Sequence, residues 1–268
     1  MTPTMNAPRR RTWCRPIAAL LPVLLTAACS SPAARVHAGY MQTELSGDLG
    51  LGPIVNTPVQ VDPIDIDQSL GLDDAAGSPF VRAELDAGPI RLTGSGFQYS
   101  QSGRGVLTGS FGDITAGTAV DSDIDLLNAK TALTFDVRDI SPVRISPGIG
   151  VDLFDIDATV APLDQNLGIE AETIDELIPV PMLFLQAEVD VDYVGAILDV
   201  GGFQANIDDF EGTFFDIEAL VYVRPVDHLE ITAGYRYISL DFEGRPEDQD
   251  VDADLNLSGW FIGGGVSF

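Results

Sequence analysis

Apolar and polar residues alternate along much of the sequence, and this period of two limits the possible folds more than any other feature. In residues 183–193 one face reads Leu, Leu, Ala, Val, Val, Tyr, and the other reads Phe, Gln, Glu, Asp, Asp. Residues 215–224 and 229–237 repeat the pattern. Because successive side chains of a strand point to opposite faces, the pattern predicts β-strands with one apolar and one polar face.

The spacing of the strands predicts a closed fold. We expect an all-β chain, a transmembrane antiparallel up-and-down β-barrel of about ten strands, with eight or twelve also open. The predicted strands are 35–47, 78–87, 90–101, 124–137, 142–155, 181–192, 195–202, 213–224, 228–243 and 253–268. Tight gaps (88–89, 138–141, 193–194, 225–227) alternate with long or acidic ones (48–77, 102–123, 156–180, 203–212, 244–252). Short turns on one side and long loops on the other are typical of outer-membrane barrels with both termini in the periplasm.

The polar face indicates which side of the strands meets lipid. It is strongly charged yet rich in Gly, as expected inside a narrow barrel. A soluble lipocalin-like barrel, the main rival fold, would instead place apolar residues inside and charges outside. Near Ile238 the apolar phase switches from odd to even positions, which predicts a β-bulge there.

The charge is strongly acidic once the N-terminal segment is set aside. The first 15 residues hold four of the 14 basic residues, which leaves 14 − 4 = 10 against 41 acidic ones, a net charge of 10 − 41 = −31. This balance argues against nucleic acid as a partner, because phosphate binding depends on clusters of Lys and Arg.

The N-terminal segment has the features of an export signal. Residues 1–28 combine a cationic stretch with a short apolar core and are predicted to be a signal peptide. The residues before Cys29, Thr26-Ala27-Ala28, resemble those of a bacterial lipobox, which implies lipidation of Cys29; cleavage after Ala33 is the alternative. Residues 29–34 would then form a short linker and residues 35–268 the barrel. Neither outcome leaves a cysteine pair for a disulfide.

The C-terminal residues resemble the final strand that the barrel-assembly machinery recognises in outer-membrane proteins. This signal is carried by alternate residues counted back from the end: Trp260, Ile262, Val266 and Phe268. Segments 70–74, 116–122, 179–181, 233–237 and 257–259 resemble poorly characterised members of the broad OmpA/OmpW-like superfamily of outer-membrane β-barrels. The resemblance implies location, architecture, and contact with outer-membrane lipid and lipopolysaccharide. It implies no active residue and no extracellular partner.

The inward-facing charges are expected to form one ionic network that fills the lumen. Its predicted members are Arg82, Glu84, Lys130, Arg144, Asp152, Glu188, Asp216, Glu218, Arg224, Glu230 and Arg236, with Arg91 and Arg138 beside them. In a narrow barrel such side chains meet and exclude a continuous water path. The alternative is a narrow channel for small solutes, with cation preference set by lumenal carboxylates.

An enzymatic function finds little support in the residue pattern. Omptin-like proteases and lipid A deacylases place a histidine on the outer side, whereas His37 and His228 fall at the predicted periplasmic end, where we expect solvated turn histidines. We therefore predict a structural or interaction role, with no catalytic residue, cofactor or metal site; a lipid or peptide hydrolase is the least favoured alternative. The acidic loops would tolerate calcium, but none has EF-hand spacing.

Overall fold

The computed structural model describes residues 33–52, 63–72, 75–140, 142–164, 168–207, 210–244 and 250–268. Within these ranges the chain forms ten long strands. They are β1 (Ala33–Leu51), β3 (Ala76–Ala87), β4 (Ile90–Val106), β5 (Ala119–Phe135), β7 (Val143–Pro162), β8 (Glu172–Val191), β9 (Val194–Ile207), β10 (Phe210–Val226), β11 (Leu229–Gly244) and β12 (Val251–Ser267). The short elements are β2 (Ile64–Asp65), α1 (Ile66–Leu70) and β6 (Arg138–Ile140).

The ten long strands form a closed antiparallel barrel. Each pairs with its neighbours in chain order, while β2 pairs with β1, and β6 with β7. The last strand returns to the first: Gly264 lies opposite Ala38, and the Phe268 N–H donates to the Ala34 carbonyl at 2.9 Å. The prediction of a ten-stranded up-and-down barrel is confirmed.

The two ends of the barrel differ as the sequence predicts. Tight turns at residues 88–89, 192–193 and 227–228 lie at one end, called the turn end, together with Ala33 and Phe268. Residues 52–75, 107–118, 163–171 and 245–250 connect strands at the other, the loop end. The expected long connection at 203–212 is wrong, because β9 and β10 pair through most of it.

An apolar belt surrounds the half of the barrel nearer the turn end. On β7 the outward residues are apolar from Val143 to Leu153, which at a strand tilt of about 40° spans roughly 25 Å along the axis. That is the height of the lipid-facing band of outer-membrane barrels. Exposed members of the belt include Tyr40, Val81, Leu85, Leu92, Leu127, Leu133, Ile145, Ile149, Leu153, Leu183, Leu185, Leu198, Phe215, Val221, Ile231, Tyr235, Trp260 and Ile262.

Towards the loop end the polarity of the wall reverses. On β5, Lys130 faces inward where Leu127 faces outward; farther along, Ile124 is buried inside and Asp123 is exposed outside. We call this upper part the rim. Its exposed outward residues include many acidic ones: Asp121, Asp123, Asp125, Asp155, Asp157, Asp175, Asp241, Glu243 and Asp254. The wall thus has the polarity of a membrane barrel near the turn end, with apolar residues outside, and that of a water-soluble β-barrel near the loop end, with apolar residues inside.

This reversal corrects the bulge predicted near Ile238. Pairing of β11 with β10 and β12 runs through Ile238 without a register shift. Ile238 is buried in the lumen, on the same face as Arg236. The apolar phase switches because the lumen becomes apolar in the rim, and not because the strand changes face. The register shift recorded between β10 and β11 lies between Val223 and Val226.

Residues 63–72 and 107–114 pack inside the mouth of the rim. Helix α1 lies against the inward face of β4, where a Cβ on Gly105 would collide with the Ser69 carbonyl. Asp65 caps the helix by accepting from the Gln68 N–H at 2.8 Å. The apolar residues of this mouth cap are fully buried: Ile64, Ile66, Leu70, Leu72, Leu107, Phe111 and Ile114. They pack in one cluster with rim residues such as Phe154 and Phe214. The prediction of a polar lumen is therefore wrong for the rim, where the lumen is apolar.

The belt argues against the rival lipocalin-like fold, which would bury its apolar residues and expose its charges around the whole wall. Among the described residues, no helix has the length and apolar character needed to cross a membrane.

Candidate functional site

The candidate site is the ionic layer that fills the lumen at the height of the belt. Arg82 on β3 and Asp199 on β9 stand on opposite walls of the ten-stranded ring, and Nη1 of Arg82 lies 2.7 Å from Oδ2 of Asp199. Arg82 also binds Glu84 at 2.6 Å and contacts Glu218. This ion pair joins opposite walls of the barrel directly across the lumen.

Two further cations complete the centre of the layer. Lys130 on β5 lies 2.8 Å from Asp216 and 3.1 Å from Glu218, both on β10. Arg236 on β11 lies 3.0 Å from Asp216 and 3.0 Å from Asp152 on β7. All of these side chains are essentially inaccessible to solvent. Such buried charges are tolerated because each cation has at least two carboxylate partners and each carboxylate lies against at least one cation.

Nearer the turn end, β1 contributes residues that the sequence did not single out. Arg35 lies 3.1 Å from Glu84 and 3.0 Å from Glu188, which stands on the opposite wall. His37 lies 2.6 Å from Glu230 and is almost fully buried. The expectation of a solvated histidine is therefore wrong for His37, because the inward face of β1 places it among the lumenal carboxylates.

The remaining arginines close the layer at the turn end. Arg91 contacts Asp86 and Gln186 and lies 2.9 Å from Glu188. Arg224 lies 2.8 Å from Asp190 and 3.0 Å from Glu230.

Arg144 is less tightly held than the others. It is partly exposed and approaches Asp86, Asp136 and Glu188 at 3.4–3.7 Å. It therefore sits at the edge of the layer, where water reaches it.

The eleven residues predicted as the lumenal network all take part in these contacts, which join them in one continuous set. Arg35, His37, Gln186, Asp199 and Tyr222, whose hydroxyl donates to Glu188 at 3.3 Å, were not among the predicted members of the network. Asp199 stands on β9, and its inward direction follows only once that strand is placed. The side chain of Arg138 lies outside the described residues.

Carboxylates outnumber cations among the described side chains of the layer. Seven basic residues (Arg35, Arg82, Arg91, Lys130, Arg144, Arg224, Arg236) face ten acidic ones (Glu84, Asp86, Asp136, Asp152, Glu188, Asp190, Asp199, Asp216, Glu218, Glu230). These described side chains carry a net charge of 7 − 10 = −3 if every carboxylate is ionised, which favours a cation over an anion.

No family model and no curated protein sequence matches the chain. Among solved structures, the outer membrane protease OmpT of Escherichia coli superimposes with a TM-score of 0.52 at 8% identity, covering 88% of this chain and 96% of that one. The chain is an outer-membrane-type β-barrel.

Two other barrels are similar over most of their length, with lower scores. The attachment invasion locus protein Ail of Yersinia pestis gives a TM-score of 0.39 at 11% identity, covering 89% of this chain and 100% of its own. The toluene transporter TodX of Pseudomonas putida gives 0.30 at 8% identity, with 89% and 90% covered. At these identities the likeness concerns the fold alone.

The other predicted residues of this outer-membrane-type barrel lie away from the ionic layer. Trp260, Ile262, Val266 and Phe268 all point outward from β12, the strand that closes the barrel against β1. Cys29 lies outside the described residues.

The second histidine and the described part of the acidic loops lie apart from the ionic layer. His228 is exposed in the 227–228 turn, as expected, and its ring stacks on Phe268 with centroids 6.0 Å apart. Both histidines are therefore at the turn end. The described residues contain no group of three or more His, Cys, Asp or Glu side chains arranged to hold a metal ion.

Proposed function

We propose that the protein is a non-conducting outer-membrane barrel with a structural or interaction role, carried out by its acidic rim and capped mouth. One observation carries this proposal: Arg82 and Asp199 meet across the lumen from opposite walls, 2.7 Å apart. The mouth cap adds a second, apolar barrier at the loop end. With the lumen filled at two heights, the outer surface of the rim is left to meet partners.

We further propose that both termini are periplasmic and that the rim faces outward. Tight turns at the end that carries the termini, and longer connections at the other, support this orientation. The belt would contact lipid, the acidic rim would meet lipopolysaccharide through divalent cations, and β12 would be read by the barrel-assembly machinery. Cys29, four residues before Ala33, would carry a lipid anchor in the periplasmic leaflet.

A narrow cation-preferring channel is the second candidate, supported by the excess of carboxylates in the ionic layer. It requires the cross-lumen pairs to open. We propose no hydrolase activity. OmpT is a protease by name, but at 8% identity it supports only the fold, and both histidines of this chain lie at the turn end.

Planar-bilayer recording of the full chain distinguishes the two candidates. We expect no steady conductance from the wild type, and ion leakage from Arg236→Ala, which leaves Asp152 and Asp216 without their shared cation. Arg104→Ala is the control, because Arg104 pairs with Asp121 on the exposed surface. Steady cation-selective current through the wild type would replace the proposed role with that of a channel.

A further inference from the structure

The outer wall of the belt carries an apolar groove. It has a volume of about 500 Å³ and crosses β1, β3, β4 and β5. Small residues form its floor: Ala83, Gly94, Gly96 and Ala129. Because these positions lack bulky side chains, the outer surface is recessed there. The neighbouring outward positions carry larger residues such as Leu, Val or Ile.

The groove runs obliquely from the turn end toward the middle of the belt. At its lower end Val36 lies opposite Ala83, which in turn lies opposite Gly94. At its upper end Gln98 lies opposite Leu127. Gly94 and Gln98 are four residues apart, so the groove extends about 13 Å along β4. This length and the apolar lining fit a hydrocarbon chain better than a folded partner.

The start of the barrel lies beside the lower end of the groove. Val36 is three residues after Ala33, the first described residue, and Cys29 is four residues before Ala33. Four residues of extended chain reach at most about 14 Å. A lipid on Cys29 would therefore enter the leaflet within reach of Val36, on the same wall of the barrel.

We propose that this groove, lined by Val36, Val81, Ala83, Gly94, Gly96 and Ala129, holds an acyl chain carried by Cys29. The inference rests on the proposed acylation of Cys29. A chain tethered beside the groove loses less translational freedom on docking than a free phospholipid chain, which favours the tethered occupant. Docking would hold the anchor against β3–β5 and keep it away from the opposite wall.

Photocrosslinking of the full chain tests this. Cells expressing the protein are fed a diazirine fatty acid, irradiated, and the purified protein is digested with trypsin. We expect crosslinks from the lipid of peptide 29–35 to fall mainly in peptides 36–82, 83–91, 92–104 and 105–130, which line the groove. Ala83→Phe combined with Ala129→Phe should fill the groove and reduce these crosslinks severalfold. Ala219→Phe combined with Ala233→Phe, on exposed positions of β10 and β11, should not.

Each other outcome overturns the inference. Crosslinks from a labelled Cys29 that are spread evenly around the barrel would show that the anchor is free in the bilayer. Crosslinks of free phospholipid in the groove, equal in the wild type and in Cys29→Ser, would show that bulk lipid occupies it. An unlabelled Cys29 would remove both the acylation and this inference. None of these results depends on the conductance measurement. A failure of the acyl-chain inference is therefore distinct from a failure of the proposed non-conducting role.

Discussion

The guanidinium of Arg82 and the carboxylate of Asp199 meet in the middle of the lumen, although their strands, β3 and β9, stand on opposite walls of the barrel. Neither side chain is accessible to solvent. The pair connects the two walls directly, as a helix–helix or sheet–sheet core would do in a soluble protein. The pair therefore stabilises the barrel as well as obstructing its lumen.

Removing Arg82 should be costly. Arg82→Ala leaves Asp199, Glu218 and Glu84 buried without their common cation, and we expect a loss of about 3–5 kcal/mol in the free energy of unfolding. Arg104→Ala breaks the exposed pair with Asp121, which is 3.0 Å long, and should cost no more than about 1 kcal/mol. Urea titration in lipid vesicles measures both. Equal losses would mean that the lumen is wet enough to screen its charges.

The mouth cap should depend on its buried apolar residues. Leu70→Ala removes a fully buried side chain from α1, and we expect a loss of about 2–5 kcal/mol in the stability of the cap. Gln68→Ala, two residues away on the exposed side of the same helix, should be nearly neutral.

Limited proteolysis reports on this cap separately from the barrel. In Leu70→Ala we expect faster cleavage within residues 63–72, with the strands still protected. Unchanged cleavage relative to Gln68→Ala would mean that α1 is not held by its apolar contacts.

Most of the barrel could be predicted from the sequence because its determinants are local. Alternation indicates which residues form strands, and the short gaps between the alternating segments lie at or within two residues of the tight turns, so all ten long strands were expected. The predicted strands were too short at the loop end. The strand predicted from residue 181, for example, is β8, which begins at Glu172. There the two faces exchange polarity, and a single apolar-outward rule fails.

The lumenal site was less accessible to sequence reasoning because its contacts cross the barrel. Alternation indicates that Arg82 points inward, but not that it meets Asp199, 117 residues away. The mouth cap was missed for a different reason. Its apolar residues are interspersed with acidic ones, so residues 48–77 were interpreted as a solvated loop.

The orientation of the barrel gives a labelling prediction. Asp157→Cys, exposed on the rim, should react with a membrane-impermeant maleimide in intact cells. Asp227→Cys, exposed in the turn between β10 and β11, should react only after the outer membrane is opened. Protein without an added cysteine gives the background from the native cysteines. Labelling of Asp227→Cys alone in intact cells would mean that the barrel is inserted with its termini outward.

The rim places like charges directly across neighbouring strands. Asp157 on β7 lies opposite Asp125 on β5 and Asp175 on β8, all on the outer face. Like charges placed directly across strands are destabilising, so a cation at the centre of this row should be tolerated or mildly stabilising. The same outer face of β7 carries Ile149 in the middle of the belt, 62% exposed.

These two positions on one strand test the reversal of polarity most directly. Ile149→Arg and Asp157→Arg are compared by urea titration of folding into lipid vesicles, with the gel-mobility shift on boiling as a check that each variant inserts. We expect Ile149→Arg to lower the free energy of unfolding by about 2–4 kcal/mol, because it places a charge at the bilayer midplane. We expect Asp157→Arg to leave it unchanged or slightly raised. Equal tolerance of arginine at both positions would contradict the assignment of the belt to lipid and the rim to water.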